Sequence, residues 1–458
     1  ARVDWVELPQ EGDEKVGLDD YLCSHTVEDF KKLPISKIRK LTINEMIADA
    51  TPEIESSDLN AIIKGMARLG SETEKALYVN RLHEKTNIPV KAIRDELKTL
   101  TERQERKLND ENIVIVHPSY EVSKDYVAIG FKETYVSDGK TKEKNIYLVS
   151  INNQYVAVDN GDTLHIEKNR YVFDVRDRVL MGINERWGKK KMHDFVNNPT
   201  SVALYQKIKH IVRSYIELQN EAYYGLASAW IIATYFHRCF NAFPFLFFYG
   251  KKGSGKSRIL DLLEKLCFNA IKVKGITVAS LADSLDGLRG TFLCDQAESL
   301  SNPQNEELVG ILADSYTVGG GKRRLVHISN KNRRILEFET YSPKAFASFK
   351  DIHPDLKDRC VQISMLRAVN DFPYPEAHLP AWSELRDELY RMLLTNWKEA
   401  IKIYQHTGDG VTHRVRELWR PLETILKLER VSDLEIQEIK NAFLESMQET
   451  QAELTEFE

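Results

Sequence analysis

The spacing of apolar and polar residues divides the chain into segments with different predicted structure. Residues 35–110 carry apolar positions at helical spacing, with charged residues between them, which predicts helices. Residues 112–177 hold short alternating runs separated by turn residues, which predicts a small antiparallel β domain. Helices are expected again over Val202–Tyr235, and residues 243–370 alternate between strand-like and helix-like runs. Residues 381–450 are predicted to be helical and lead into an acidic tail.

The region before the β domain contains a pattern of helices that bears on DNA binding. Val3–Leu8 predicts a short strand, followed by a polar turn and the start of a helix. Glu74–Leu82 and Val90–Leu100 flank a break at Asn87–Pro89, which is helix–turn–helix spacing. The pattern indicates either a winged-helix module that touches DNA or a helical connector. Acidic residues dilute the positive charge of these helices and favour the connector.

A glycine-rich motif indicates a phosphate-binding loop. The apolar run Phe243–Tyr249 leads directly into Gly250-Lys-Lys-Gly-Ser-Gly-Lys-Ser257, and a helix with an apolar stripe is predicted to follow. Glycines let backbone N–H groups surround an anion, and the helix N-terminus adds positive potential. We expect ATP to be bound by Gly250, Gly253, Ser254, Gly255, Lys256 and Ser257. Lys256 is expected to contact the β- and γ-phosphates, and Ser257 to ligate Mg²⁺.

A second apolar strand supplies the predicted metal carboxylate. Thr291–Cys294 ends at Asp295, 39 residues after Lys256, which is the placement expected for a carboxylate that orients Mg²⁺. The next residue in such sites is a Glu that aligns the attacking water. Here it is Gln296, whose amide can hydrogen-bond a water but cannot accept its proton.

Three explanations for Gln296 are open. Glu298 is the functional base, displaced by two positions; or the enzyme is naturally slow; or Gln296 is an engineered replacement of Glu that holds ATP unhydrolysed. The run Asp295–Glu298 would otherwise be Asp-Glu-Ala-Glu, so we favour the replacement, with a native and functional Gln296 as its alternative.

A basic hairpin is predicted between the metal site and the next strand of the core. Arg324–Ile328 and Arg334–Phe338 are strand-like, and Ser329–Arg333 between them is turn-like. Six basic residues and no acidic one lie here: Lys322, Arg323, Arg324, Lys331, Arg333 and Arg334. Such a patch suits the phosphates of single-stranded DNA, the alternative being a solvated hairpin without a ligand.

Two further residues are candidates for sensing or stabilising the γ-phosphate. The strand Ala345–Ala347 ends in Ser348, a polar residue placed to sense the γ-phosphate. Arg359 follows and is a candidate arginine finger for the site of a neighbouring subunit. Its alternative is a surface salt bridge with Asp358, and Arg367 is a second candidate for either role.

The composition of the chain limits the function classes that these motifs allow. The chain has 458 residues, with 64 basic and 69 acidic side chains, so a wholly basic surface is excluded and DNA contact requires a local patch. Five scattered cysteines without CxxC spacing argue against a zinc ribbon or a disulfide framework and favour a reducing cytosol. The longest apolar run, Leu226–Phe236, is too short to span a bilayer. We expect a cytoplasmic protein without a membrane partner.

Residues 200–430 resemble the AAA+ helicase portion of primase–helicases from phages, plasmids and mobile elements, which are related to superfamily 3 helicases. The resemblance rests on an ordered set of stretches: Thr234–Phe236, Phe243–Ser257, Asp295–Leu300, Gly319–Arg324, Tyr341–Ala347, Asp358–Arg359 and Glu417–Leu422. The first 30 residues resemble the end of a Toprim-like primase domain, which implies a primase region upstream in the full-length protein.

The resemblance implies a homo-hexameric ring with ATP between subunits and a hairpin that grips single-stranded or forked DNA in the channel. Lys322–Arg334 matches that hairpin, Ser348 the sensor and Arg359 the finger. The implied activity is an ATP-dependent DNA helicase or translocase that acts in the replication of a mobile genetic element, encoded by the element or a virus, in a bacterial or archaeal host cell. The alternative is an AAA+ ATP-gated DNA-binding or loading protein without unwinding. The family has Glu where Gln296 stands, which puts hydrolysis in question.

The predicted fold is α/β, built around an AAA+ P-loop NTPase core. Five parts are expected: a remnant of the upstream domain (1–30), a helical connector or winged-helix module (31–110), a small β domain (111–200), the ATPase core with its preceding helices (201–380), and a C-terminal helical bundle with an acidic tail (381–458).

Overall fold

The computed structural model divides the chain into two compact units, Ala1–Asn112 and Ile113–Glu458. Among the described residues, no helix is both long enough and apolar enough to cross a membrane. The structure describes residues 4–6, 35–37, 43–67, 72–98, 112–137, 139–151, 154–166, 169–173, 187, 189–200, 202–275, 277–329, 332–376, 379–411 and 413–455. Most of the predicted upstream remnant, 1–30, lies outside them.

The first unit contains a short strand pair that corrects one prediction. Strand β1 (Asp4–Val6) pairs antiparallel with β2 (Ile35–Lys37), with Trp5 opposite Ser36. Helical structure was predicted from residue 35 onward, and this is wrong for the first three residues. Their backbone groups pair with β1 instead, because a tertiary partner outweighs a weak local preference.

The other elements that the structure describes between residues 43 and 98 are helices, as predicted. It holds α1 (Ile43–Ala48), α2 (Ser56–Ala67), α3 (Glu72–Thr86) and a helical segment at residues 90–98. The break between the last two is present, and Asn87 there has a φ of +58°. Their apolar faces form one buried cluster: Ile47, Ala50, Ile62, Ile63, Met66, Val79, Leu82, Ile93 and Leu97. Whether this module touches DNA stays a prediction.

The second unit begins with the predicted β structure, arranged as two sheets. One sheet has the order β3-β9-β8 and the other the antiparallel order β4-β5-β6-β7. The strands are β3 (Asn112–Ile115), β4 (Tyr120–Val122), β5 (Tyr126–Ser137), β6 (Lys140–Ile151), β7 (Gln154–Asp159), β8 (Thr163–Ile166) and β9 (Asn169–Val172). Strand β4 was not predicted, because three residues with a central glutamate give too little alternation.

A five-stranded parallel sheet forms the centre of the second unit. Its order is β11-β12-β15-β10-β16, and every neighbouring pair is parallel. The strands are β10 (Phe245–Tyr249), β11 (Ile271–Val273), β12 (Phe292–Asp295), β15 (Lys344–Ser348) and β16 (Cys360–Ser364). Most of their residues are buried, as expected for parallel strands covered by helices on both faces. The fold is therefore mixed α/β, as predicted.

Helices between the strands and around the sheet cover the central sheet. They are α4 (Lys189–Asn197), α5 (Tyr205–Tyr215), α6 (Glu221–Phe236), α7 (Lys256–Leu266), α8 (Val278–Leu288), α9 (Glu306–Asp314), the short α10 (Pro354–Lys357), α11 (Pro380–Gln405), α12 (His413–Leu428) and α13 (Asp433–Thr455). Helix α6 is almost wholly buried, which matches its lack of a polar face. Trp230 on α6 donates a hydrogen bond from Nε1 to the carbonyl of Pro244 over 2.8 Å, so α6 is tied to the residue before β10.

The predicted basic hairpin is present between α9 and β15. Strands β13 (Arg323–Ser329) and β14 (Asn332–Phe338) pair antiparallel, from Arg323 opposite Phe338 to Ser329 opposite Asn332. Lys331 lies outside the described residues. The hairpin is thus an insertion into the sheet connection that leads to β15, the central strand.

Candidate nucleotide-binding site

The strand order brings the predicted site residues to one edge of the sheet. Because the strands are parallel, the carboxyl ends of β10, β12, β15 and β16 all meet there. A cavity of about 800 Å³ opens at this edge. Its walls include the loop residues Gly253–Ser257, Asp295–Gln296 and Glu298 after β12, Ser348 at the end of β15, and Met365 after β16.

Backbone geometry explains why the loop needs its glycines. A Cβ on Gly250 would lie 2.2 Å from the carbonyl oxygen of Met365, so only glycine fits beside the chain that leaves β16. Gly255 has a φ of +87° and precedes the first residue of α7, a left-handed conformation that glycine adopts without strain. The loop therefore turns sharply from β10 into α7, with its amide groups at the cavity.

Lys256 is held over the loop by backbone carbonyls. Its Nζ donates hydrogen bonds to the carbonyls of Gly250 and Lys251 over 2.7 and 2.8 Å. Burial lowers the pKa of the Lys256 ammonium, and the carboxylates of Glu298 and Asp295 oppose that shift. The ammonium thus lies on the cavity wall, where phosphate oxygens are the acceptors expected to replace the carbonyls.

Ser257 and Asp295 form a donor pair that fits Mg²⁺. The Ser257 hydroxyl donates a hydrogen bond to Oδ1 of Asp295 over 3.2 Å, which joins the start of α7 to the end of β12. No group of three or more His, Cys, Asp or Glu able to hold a metal occurs in the described part of the chain. Mg²⁺ that binds with a nucleotide needs only one or two protein oxygens beside phosphates and waters, and this pair meets that requirement.

Gln296 adopts an unusual backbone conformation at the mouth of the cavity. Its φ is +61°, in the left-handed region, which costs about 1–3 kcal/mol for a residue other than glycine. Its N–H donates to Oδ1 of Asp295 over 3.1 Å. The side chain is exposed. The strained turn therefore helps to fix the Asp295 carboxylate, whichever residue type occupies position 296.

Glu298 is brought into the cavity and oriented by Ser348. The Ser348 hydroxyl, almost fully buried at the end of β15, donates to Oε2 of Glu298 over 3.0 Å. The same hydroxyl oxygen accepts the N–H of Lys350 over 3.0 Å, so its proton is directed at the carboxylate. Two predicted site residues, one at the end of β15 and one just after β12, are thereby joined, and the site has a fixed carboxylate besides Asp295.

Arg359 lies at the opposite edge of the sheet. Its carbonyl accepts the N–H of Phe245, the first residue of β10, over 3.0 Å. Since β10 has five residues, at about 3.3 Å each, this edge is roughly 16 Å from the glycine-rich loop. Arg359 is not among the residues that line the cavity, whereas Arg367 is.

Neighbouring groups hold the Arg359 side chain in place. Its guanidinium lies 3.8 Å from a carboxylate oxygen of Asp358 and 5.2 Å from the centre of the Tyr316 ring. Arg414 pairs with the same carboxylate and lies over the same ring. The salt bridge considered as the alternative role of Arg359 is therefore present, and its role as a finger stays a prediction.

Sequence reasoning missed one side of the cavity. Tyr215 at the end of α5, the two residues after it, and Ala368 with Asn370–Phe372 after β16 line it beside the loop; their neighbour Arg367 was a sequence candidate. The N–H of Val369 donates to Oε2 of Glu217 over 3.0 Å, and the hydroxyl of Tyr374 donates to Oδ2 of Asp261 over 2.6 Å. These residues carry no motif, but Arg367–Phe372 could have been found from their place just after a parallel strand.

The predicted DNA-binding residues occupy both limbs of the hairpin. Arg323 and Arg324 are on β13, Arg333 and Arg334 are on β14, and Lys322 precedes β13 and is exposed. The structure therefore groups the four arginines on one two-stranded element, with Lys322 directly before it.

Comparison with known proteins gives structural similarities only. No protein-family model and no curated protein sequence matches the chain. One similar structure is the C-terminal region of NrS-1, at 14% identity over 66% of this chain and 80% of that one, with a TM-score of 0.29. A second structure of that region gives 14% identity over 68% and 83%, with a TM-score of 0.30. JCV helicase gives 14% identity over 56% and 78%, with a TM-score of 0.19.

Proposed function

We propose that this chain is an ATP-dependent DNA helicase or translocase with an AAA+ core. The observation that carries the proposal is the cavity at the carboxyl edge of the sheet, where Lys256, the Ser257–Asp295 pair and the Ser348–Glu298 pair meet. This set combines a phosphate-binding loop, oxygen ligands for Mg²⁺ and an oriented carboxylate. Those are the parts that positioning and electrostatic catalysis of phosphoryl transfer require.

Each residue has a role in the proposed reaction. Lys256 and the amides of Gly250–Ser257 bind the triphosphate, and Ser257 with Asp295 holds Mg²⁺. When bound, Mg²⁺ neutralises phosphate charge. Glu298, oriented by the Ser348 hydroxyl, aligns the attacking water and accepts its proton. A carboxylate at position 296 would share or take over this task.

The proposed assembly is a homo-hexameric ring that acts on single-stranded or forked DNA. The location of Arg359 supports it, because its backbone lies at the edge of the sheet roughly 16 Å from the loop of its own subunit, and an arginine there suits the site of an adjacent copy. The basic residues of β13 and β14 would grip DNA phosphates, and turnover would move the hairpin. The full-length protein would add a primase region upstream and replicate a mobile or viral element in its host's cytoplasm.

ATP turnover with and without single-stranded DNA tests this proposal. The chain as it stands is compared with Gln296→Glu and with Lys256→Ala. We expect DNA-stimulated turnover in at least one of the first two proteins and none with Lys256→Ala. If the first two both bind ATP and DNA but neither turns over ATP in the presence of DNA, the motor function is wrong.

A second candidate function is an ATP-gated DNA-binding or loading protein that does not unwind. Gln296 favours it, because the position next to the metal carboxylate lacks a group that accepts a proton. This function predicts nucleotide-dependent assembly on DNA without strand separation, even after Gln296→Glu. A forked-DNA unwinding assay on that variant separates the two functions.

A further inference from the structure

The connection that carries the hairpin is fastened at both ends. Where the chain enters, the N–H of Val318 donates to the carbonyl of Asn241 over 2.9 Å. Where it leaves, the carboxylate of Glu339 accepts the N–H of Gly319 over 3.0 Å, which ties exit to entry. The Thr340 hydroxyl donates to the carbonyl of Gly321 over 2.6 Å and closes the same loop. The base of the hairpin is therefore one closed unit.

A buried lysine adds further hydrogen bonds where the chain leaves the hairpin. The Nζ of Lys344, at the start of β15, donates to the carbonyl and hydroxyl of Ser342 over 2.9 Å and to the carbonyl of Thr340 over 3.3 Å. The side chain is fully buried. Burial lowers the pKa of Lys344. The segment that leaves the hairpin, residues 339–343, is thus hydrogen-bonded to the first residue of β15.

One carboxylate joins this base to the β domain. Asp286, buried near the end of α8, accepts the N–H of Glu339 at Oδ1 over 3.0 Å. Its other oxygen, Oδ2, lies 3.9 Å from Nε2 of His117, which is in the β domain and also buried. The two oxygens of Asp286 therefore face two different elements, the exit of the hairpin and the turn after β3.

The end of α8 is docked on that same turn by further contacts. The hydroxyl of Ser119 donates to the carbonyl of Gly287, and Nη1 of Arg289 donates to the carbonyl of Tyr120 over 2.9 Å. Arg289 also lies 4.0 Å from a carboxylate oxygen of Glu121. The β domain thus contacts the C-terminal end of α8 at Gly287 and at Arg289, both within three residues of Asp286.

We propose that Asp286 is a positioning residue that anchors the basic hairpin to the β domain. The β domain then serves as the fixed support against which the hairpin is held, rather than as a separate binding module. The inference deepens the proposed function, because it rests on the hairpin as the DNA-binding element. Loss of the Asp286 carboxylate should free the segment that leaves the hairpin, at Glu339, from its bond to α8. The nucleotide cavity should stay intact.

Limited trypsin digestion of the full chain tests the anchor without DNA. The hairpin segment carries six trypsin sites between Lys322 and Arg334. We expect Asp286→Ala to speed cleavage there roughly tenfold, because local opening no longer breaks a hydrogen bond to a charged group. Asp283→Ala on an exposed position of the same helix is the matched control. Asp286→Asn, which keeps an oxygen acceptor for the Glu339 N–H, should restore most of the protection.

Binding to single-stranded DNA and to ATP completes the test. We expect Asp286→Ala to weaken DNA binding several-fold and to leave ATP affinity unchanged. Cleavage of the hairpin no faster than with Asp283→Ala would overturn the anchor. So would faster cleavage throughout the chain with a lowered Tm, since Asp286 would then be only a core residue. If the unmodified chain binds no DNA but the local cleavage effect is found, the anchor stands and the DNA-binding function fails.

Discussion

The hydroxyl of Ser348 donates a 3.0 Å hydrogen bond to the carboxylate of Glu298, across the gap between two neighbouring strands of the central sheet. Ser348 ends β15, and Glu298 follows β12. A polar residue at the end of the central strand thereby orients a carboxylate in the cavity. This link gives Glu298 a fixed direction that its position in the short 3-10 helix Ala297–Ser301 would not provide alone.

Replacing Glu298 with Gln should lower kcat for ATP by about 10²–10⁴, the usual contribution of a general base. ATP affinity should change little, because the amide is similar in size and Lys256 is retained. Steady-state turnover with a nucleotide-binding titration measures both. Glu307→Ala, on an exposed position of α9, is the control. Unchanged turnover after Glu298→Gln would mean that a group other than Glu298 is the general base.

Replacing Ser257 with Ala should weaken ATP binding in the presence of Mg²⁺ by about tenfold or more, because one oxygen ligand and its bond to Asp295 are lost. In EDTA the variant and the unmodified chain should bind nucleotide equally well. Titrations under the two conditions measure the difference. An equal loss of affinity in EDTA would mean that Ser257 acts on the loop and not through Mg²⁺.

The double substitution Lys331→Ala with Arg333→Ala should weaken binding to single-stranded DNA and leave basal ATP hydrolysis intact. The slope of log affinity against log salt should fall by about 1.4, since each phosphate contact contributes about 0.7 for a single strand. Lys398→Ala with Lys402→Ala, both exposed on α11, removes the same charge elsewhere. If that control lowers the slope equally, the effect is one of net charge and the hairpin has no specific role.

Replacing Arg359 with Ala should reduce turnover by about 10³–10⁵ while ATP affinity is preserved, as expected for an arginine finger. Arg414→Ala is the matched control, because Arg414 shares the Asp358 carboxylate and the Tyr316 ring.

Mixing proteins shows whether Arg359 acts between subunits. Arg359→Ala retains the phosphate-binding loop, and Lys256→Ala retains the arginine. A mixture of these two inactive variants should regain turnover at mixed interfaces. Activity that stays absent in mixtures shown to co-assemble would rule out a role in the adjacent site.

Stability should fall in mild acid because of His237. This side chain is fully buried, and burial lowers its pKa well below the usual value, with the Arg238 charge acting in the same direction. Below about pH 6.5 the unfolded chain takes up a proton that the folded chain does not. The free energy of unfolding should therefore drop with falling pH, by up to about 1.4 kcal/mol per pH unit from this group.

Denaturant titrations at several pH values measure this effect. His237→Asn should reduce the slope of stability against pH on the acid side, because the titrating group is gone. His210→Asn, at an exposed position of α5, should leave the slope unchanged. Identical slopes for all three proteins would assign the acid sensitivity to other groups.

Local patterns predicted the parts of the site that are continuous in sequence. The loop Gly250–Ser257 and the strand before Asp295 were found because strand, glycine loop and helix follow one another directly. The bond between Ser348 and Glu298 was not found, because it depends on β12 and β15 being neighbours in the sheet. Ala368 and Asn370–Phe372 were missed as a wall of the cavity because their place follows from the strand order and not from a motif.

The fold was predictable to a similar extent. Alternation located β5 and β6, and helical spacing located α5, α6 and the C-terminal helices. The strand Ile35–Lys37 was predicted as helix because its partner lies about thirty residues earlier in the sequence and leaves no local trace. The grip of the β domain on α8 joins side chains and carbonyls more than 160 residues apart, which no periodicity encodes.

The central place of β15 determines when the sheet can be completed during synthesis. Strands β10 and β12 never pair with each other, because β15 lies between them. The facing edges of β10 and β12 therefore stay unpaired until Lys344–Ser348 has been synthesised, the hairpin before it has folded, and β15 can insert between them. Apolar strands with unpaired edges are prone to associate with other chains. The nascent chain thus passes through a vulnerable stage that ends only when its middle strand arrives.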